Sequence, residues 1–267
     1  MEIIKNYIYH YYHLSLATCL ITALSFKATG NIIDWQYCIW VGLGTFLLYN
    51  YHYVLDLTKT DLIAFAKRNI SFLGVVIVYC ITGLFLLPNL QLTIPALIIA
   101  GILSLMYFRS IRILPLAGRE YFWLKHIIIG LVFGILTAYV PYISSGYTFG
   151  ESSFLMLGRV FFIGSLALVF DIGDISFDEK TNYTTLPQVI GIKNTKWVAC
   201  LCLFVAALIE GWGAWTFLID FPIFMALFLT CAVTCIIIWV TKKEYPKWFY
   251  LLVVDGLIML PFVLSFL

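Results

Sequence analysis

Three aspartates stand at intervals of three and four residues in DIGDISFDEKTNYTTLPQVIG, residues 171–191. On a helix, that spacing puts the carboxylates of Asp171, Asp174 and Asp178 on one face. Like charges held so close repel, and each makes ionisation of the others harder. A divalent cation removes the conflict. Magnesium prefers oxygen ligands, commonly takes one or two carboxylates, and completes its shell with water and substrate phosphates. Such an ion could hold a diphosphate and neutralise its charge as it departs. The ordinary alternative is a solvated row paired with Lys180, Lys193 or Lys196, and a lone D-x2-D would favour it. Here the row closes an apolar run and is followed by TTLP and a glycine, which favours the metal site.

The elements that must position this row are hydrophobic. Of 267 residues, 63% are hydrophobic and 11% charged, and the mean hydropathy is +0.99. That excludes an ordinary soluble domain. Apolar segments run over 9–28, 37–55, 70–88, 92–108, 126–145, 154–171, 196–218, 222–240 and 248–267, about nine spans at roughly 20 residues each. Lipid cannot satisfy backbone polar groups, so the segments must be helices unless they close a barrel. Their continuous apolarity lacks a barrel's alternation. The fold class is therefore all-α: a polytopic membrane bundle forming a single domain over 1–267.

With the N-terminus in the cytoplasm, cytoplasmic connections hold 14 of the 16 basic residues, leaving Lys27 and Arg159 opposite. The positive-inside rule thus sets the N-terminus inside and, after nine spans, the C-terminus outside. Most acidic residues share the cytoplasmic face, which suits a charged cytoplasmic substrate. An internal echo supports duplication: LLYNYHYVLDLTKTD (47–61) aligns without a gap on LVFDIGDISFDEKTN (168–182), placing Asn50 on Asp171. The two follow the second and sixth spans, as expected for two four-helix pseudo-repeats plus one helix.

The segment 171–191 resembles the second aspartate-rich motif of the UbiA-type intramembrane prenyltransferases, which ends the sixth of nine helices and precedes a threonine-leucine-proline and glycine segment. The resemblance extends over essentially the whole chain. It implies a magnesium-dependent enzyme that ionises an isoprenoid diphosphate and passes the prenyl group to a lipid or aromatic acceptor within a helical cavity. It makes Asp171, Asp174 and Asp178 the magnesium and diphosphate ligands. In YFRSIRILPLAGREYFWLKH it implies that Tyr107, Arg109, Arg112 and Lys125 approach the diphosphate, as does Lys180 beside the row; Ile111 stands where the family usually has lysine.

The chain departs from the family's first motif, N-D-x2-D-x3-D. With Asn50 as its asparagine, the carboxylate positions hold Tyr51, Val54 and Thr58. Asp61 falls about three turns beyond Asn50 on nearly the same face, and His52 offers another polar contact. Three readings follow. One is an enzyme using a single metal, with Asn50, Arg112 and Lys125 covering the remaining charge. The second is a terpene cyclase on the same site, and the third a prenyl-lipid-binding pseudoenzyme.

Other polar residues carry less. His10 and His13 read as part of an aromatic interface belt. Glu210, near the outer end of its span, reads as solvated. Asp255 lies within a span, where an acid is costly and faces the protein interior, either lining a cavity, pairing with a base or making a structural hydrogen bond. All seven cysteines fall in apolar segments without a metal-like spacing, no cleavable signal is evident, and no basic block suggests nucleic acid.

Overall fold

A chain with so little charge has to fold by hiding its few polar groups and leaving its oily surface to lipid. The computed structural model describes residues 11–53, 70–86, 93–107, 124–180 and 184–267, and among them every element is helical. The helices are α1 (Tyr12–Ala28), α2 (Trp35–Tyr53), α3 (Ile70–Leu86), α4 (Ile94–Tyr107) and α5 (Leu124–Ser144). They continue with α6 (Phe149–Lys180), the short α7 (Leu186–Ile190), α8 (Ile192–Trp215), α9 (Phe221–Val240) and α10 (Phe249–Leu264). Each apolar segment read from the sequence overlaps one of the longer helices. Over the described residues, four stretches are long and apolar enough to cross a membrane by themselves: Leu124–Ser144, Phe149–Ser176, Ile192–Trp215 and Phe221–Val240.

The packing follows chain order. α1 lies against α2 and α10, α5 against α4 and α6, and α9 between α8 and α10. The outer surface is apolar: Leu201, Phe204, Leu208, Trp212 and Trp215 form an exposed stripe on α8. Their intervals of three and four mark one helix face, here turned to lipid. Between α5 and α6 the approach is close. A Cβ on Gly130 would lie 2.8 Å from the Val160 carbonyl oxygen, and one on Gly134 2.7 Å from the Val160 side chain. These two glycines, four residues apart, let the backbones meet as small residues do in membrane helix pairs.

α6 is the organising helix. Its 32 residues extend about 48 Å, well beyond a hydrocarbon core of about 30 Å. From Phe149 to Asp171 is about 33 Å, so Asp171 stands one hydrocarbon thickness from the far end. Asp174 and Asp178 project beyond it. Beyond α6, the Thr185 N–H donates to Gln188 Oε1 at 2.9 Å, and Gly191, at φ 82°, turns the chain into α8.

Two residues differ from expectation at the opposite end. Glu210 is not solvated but 4% exposed, because Gly158 leaves it room: a Cβ there would stand 2.8 Å from Glu210 Oε1. Arg159, which topology alone places on the outer side, is buried inside the bundle. Its guanidinium donates to the Ile21 carbonyl at 3.1 Å and to Ser25 Oγ at 3.2 Å. Ser25 in turn donates to the Thr137 carbonyl at 2.6 Å, in the π-helical turn Ile135–Tyr139 of α5. This relay ties α1, α5 and α6 together. Arg159→Leu is expected to destabilise the bundle by about 2–4 kcal/mol, read as a lower thermal midpoint in detergent; Glu210→Gln, which keeps the shape and the relay, should cost much less.

Candidate active site

The site is built where the first turn of α5 meets the C-terminal part of α6. Asp171 is fully buried, and both of its carboxylate oxygens are engaged. Lys125 Nζ donates to Oδ1, and His126 Nε2 lies 2.8 Å from Oδ2. Lys125 and His126 open α5, so the first turn of one helix supplies both counter-groups for the acid on the next. A carboxylate removed from water requires such partners. His126 is itself buried; the motif pattern does not point to it, although its place beside Lys125 at the start of an apolar run is the available signal.

The rest of the row runs down the same face. Asp174 is half-buried and Asp178 buried. Asp178 and the Tyr107 hydroxyl lie within electrostatic reach of Lys125, so Lys125 is the hub joining the acidic row to the end of α4. Close contact also fixes the other flank. Tyr250 of α10 covers Gly173, where a Cβ would come within 2.6 Å of its ring, and its hydroxyl donates to the Lys242 carbonyl at 2.8 Å.

Tyr107 connects the charged end to an apolar interior. It lines a recess with Leu48, Tyr49, Ser104, Ile128, Ile129, Val132 and Phe133. Leu48, Tyr49, Ser104, Val132 and Phe133 also line a larger cavity of about 370 Å³, which continues between α2, α3, α4 and α5 past Trp40, Thr45, Tyr79 and Leu136. That volume lies in the usual range for a small-molecule site. Trp40 and Tyr79 stack at 5.0 Å to form one wall.

Of the residues singled out in the sequence, the structure brings together Asp171, Asp174, Asp178, Lys125 and Tyr107. Asn50 is buried near the C-terminal end of α2, its Nδ2 donating to the Phe46 carbonyl at 2.9 Å. Arg109, Arg112 and Asp61 lie outside the described residues, as do His10 and the side chains of Tyr51, His52 and Lys180. Residues 54–61, the second half of the first stretch in the internal echo, also lie outside them. His13 departs from an interface belt: it is buried, with Nε2 3.1 Å from the Leu252 carbonyl oxygen.

Among the described residues no three His, Cys, Asp or Glu side chains converge as a preformed metal cluster. Asp171, expected on the metal, gives its oxygens to Lys125 and His126. Asp174 and Asp178, one turn apart on one face, supply oxygen donors of the kind and number magnesium takes alongside a substrate's phosphates. The donor set therefore fits such an ion.

A helical bundle with an apolar exterior, an acidic row at one end and an aromatic-lined cavity beneath it has the make-up of an integral membrane protein. The profile of the UbiA prenyltransferase family matches residues 67–253, well over half the chain, and the chain belongs to that family. Membership implies prenyl transfer within a membrane. The matched stretch begins after Asn50, Tyr51, Val54 and Thr58, where the first aspartate-rich motif would stand. No curated protein sequence and no solved structure matches the chain.

The buried cluster predicts a coupling. Asp171→Asn removes the carboxylate paired directly with Lys125, leaving Asp178 as the acid still within electrostatic reach, and is expected to destabilise by about 3 kcal/mol. Adding Lys125→Met should recover part of that loss. A double-mutant cycle on the thermal midpoint measures this; strictly additive effects would remove the pair from the architecture.

Proposed function

We propose that this protein transfers a prenyl group from an isoprenoid diphosphate to a lipid or aromatic acceptor, with magnesium, at the cytoplasmic face of the membrane. One observation carries the reading: the cationic hub at Lys125 opens through Tyr107 onto an apolar, aromatic-lined cavity. An isoprenoid diphosphate has that same division, a multiply charged head on an oily tail. Nine helices cross the bilayer in this reading, as two four-helix units plus one, with the N-terminus inside and the C-terminus outside.

Asp174 and Asp178 would hold the magnesium ion, which supplies charge neutralisation to the departing diphosphate. Lys125, positioned by Asp171 and His126, faces the diphosphate, and Arg109, Arg112 and Lys180 add positive charge from the cytoplasmic connections. Asn50, His52 and Asp61 stand on the side where the family's first acidic cluster would be, so the chain meets that side of the diphosphate with fewer carboxylates. Trp40, Tyr49, Tyr79 and Phe133 exclude water, and their π-faces favour the positive charge that develops on the allylic carbon. The same aromatic lining supports cyclisation of the bound isoprenoid as a second reading, and the residues at positions 51, 54 and 58 support a third, binding without turnover.

Purified protein with geranyl, farnesyl and geranylgeranyl diphosphates and native lipid extract decides among these. Magnesium-dependent pyrophosphate release is expected from the wild type, with a loss of at least about 100-fold in Asp174→Asn. Product formed without the extract would establish cyclisation; binding with no release by the wild type would establish a pseudoenzyme. The cavity makes a separate prediction. Ala100 lines it and is buried, so Ala100→Phe should fill the cavity and shift preference to shorter prenyl chains. Unchanged chain-length preference would place the tail elsewhere.

A further inference from the structure

The apolar cavity has a definite length and a braced far end. Three helices trace it away from the charged site. On α2 its lining runs from Tyr49 to Trp40, and on α5 from Ile128, in the recess beside Tyr107, to Thr137. At about 1.5 Å per residue, each of these stretches is about 13–14 Å long. On α4 the lining from Tyr107 to Leu97 covers about 15 Å.

Over that length the wall suits hydrocarbon. Thr18, Thr45, Ser104 and Thr137 line it, but each hydroxyl donates to a carbonyl of its own helix, at 2.8, 3.1, 2.7 and 2.7 Å. A hydroxyl that has given its one hydrogen to the backbone has none for a ligand. The stacked pair Trp40 and Tyr79 sets its polar atoms beside Gly83 and Gly44. A Cβ on Gly83 would stand 3.0 Å from Trp40 Nε1, and one on Gly44 3.5 Å from the Tyr79 hydroxyl.

Tyr37 stands behind the far end. It is 1% exposed, its ring centroid 6.0 Å from that of Trp40 and 6.1 Å from that of Phe26 on α1. Its hydroxyl donates to the Leu136 carbonyl at 2.8 Å. Trp40 and Leu136 both line the cavity, so Tyr37 bridges α2 to α5 where the lining stops. The bridge is braced from α1, because Ser25 Oγ donates to the next carbonyl, that of Thr137, at 2.6 Å. Both carbonyls belong to the π-helical turn Ile135–Tyr139. A large side chain packed on two rings and tied to a braced carbonyl does not yield to a flexible chain.

An isoprene unit adds four carbons to the main chain. With carbon–carbon bonds of about 1.5 Å in a staggered zigzag, it extends roughly 4–5 Å. Three units therefore match the distance from Tyr107 to the far end, and a fourth has no room along that axis. We propose that the cavity takes a donor of farnesyl length, three isoprene units, and that Tyr37 is the stop that sets this limit. The assignment rests on the reading above that the site holds an isoprenoid diphosphate.

The experiment compares wild type, Tyr37→Ala, Tyr37→Leu and Tyr37→Phe as full-length proteins in lipid nanodiscs. Binding of geranyl, farnesyl and geranylgeranyl diphosphates is measured beside magnesium-dependent pyrophosphate release in native lipid extract. The wild type should bind the farnesyl donor at least about 10-fold more tightly than the geranylgeranyl donor, as expected when an apolar site misfits one unit. Tyr37→Ala and Tyr37→Leu open the far end and should bring the geranylgeranyl donor level with the farnesyl donor or ahead of it. The leucine variant keeps aliphatic packing should the alanine variant fail to fold. Tyr37→Phe keeps the ring without the bridge and should hold the wild-type order at a lower thermal midpoint. A wild type that binds the geranyl or geranylgeranyl donor as well as the farnesyl donor overturns the length. A farnesyl preference kept by a folded Tyr37→Ala or Tyr37→Leu overturns Tyr37 as the stop. The expected binding order without pyrophosphate release removes catalysis and leaves the stop in place, whereas binding of none of the three donors removes both.

Discussion

A single carboxylate that cannot reach water sets the geometry of the inner half of this bundle. Asp171 is fully buried in α6 with no solvent to share its charge, so the first turn of α5 has to bring Lys125 and His126 to it. That requirement fixes the rotation of α5 against α6, and the close passage of Gly130 and Gly134 over Val160 makes the approach sterically possible. Once α5 is placed, Val132, Phe133 and Leu136 point toward α2 and α4 and become a cavity wall. The charged end and the oily interior are thus consequences of one packing decision.

The opposite half answers the same constraint differently. Arg159 is satisfied mainly by a backbone carbonyl and a hydroxyl rather than by an acid in direct contact, and Glu210 is admitted by the absence of a side chain at Gly158. Two charges are buried there without a close pair, and the relay through Ser25 and Thr137 ends in the π-helical turn of α5. A second such turn, Phe249–Val254 in α10, includes Tyr250. Both occur where a helix must present groups to the interior that a regular register would turn elsewhere.

Much of this is legible in the sequence because the bilayer leaves few options. The positions of the apolar segments foretell where the helices lie, and the three-four spacing of Asp171, Asp174 and Asp178 foretells a shared face. Partnership is harder to read. Nothing local says that Asp171 meets Lys125 and His126, 46 and 45 residues earlier, because that depends on how two helices rotate. Glu210 reads wrongly as solvated because proximity to a helix end normally means water, and only the packing against Gly158 reveals the burial. His13 misleads for the same reason. Asp255 is flagged by its cost in the membrane, but the π-helical turn that precedes it leaves no sequence signal.

The length of α6 has a further meaning for how material passes through the protein. If the far end of α6 sits at one edge of the hydrocarbon core, its length carries Asp174 and Asp178 past the other edge, while the cavity lined by Tyr49 and Phe133 stays at the depth of the acyl chains. An amphiphile resting in that leaflet already has its head and tail at these two depths. Under the function proposed above, a substrate arranged in this way would have no need to invert or to carry its charge through oil.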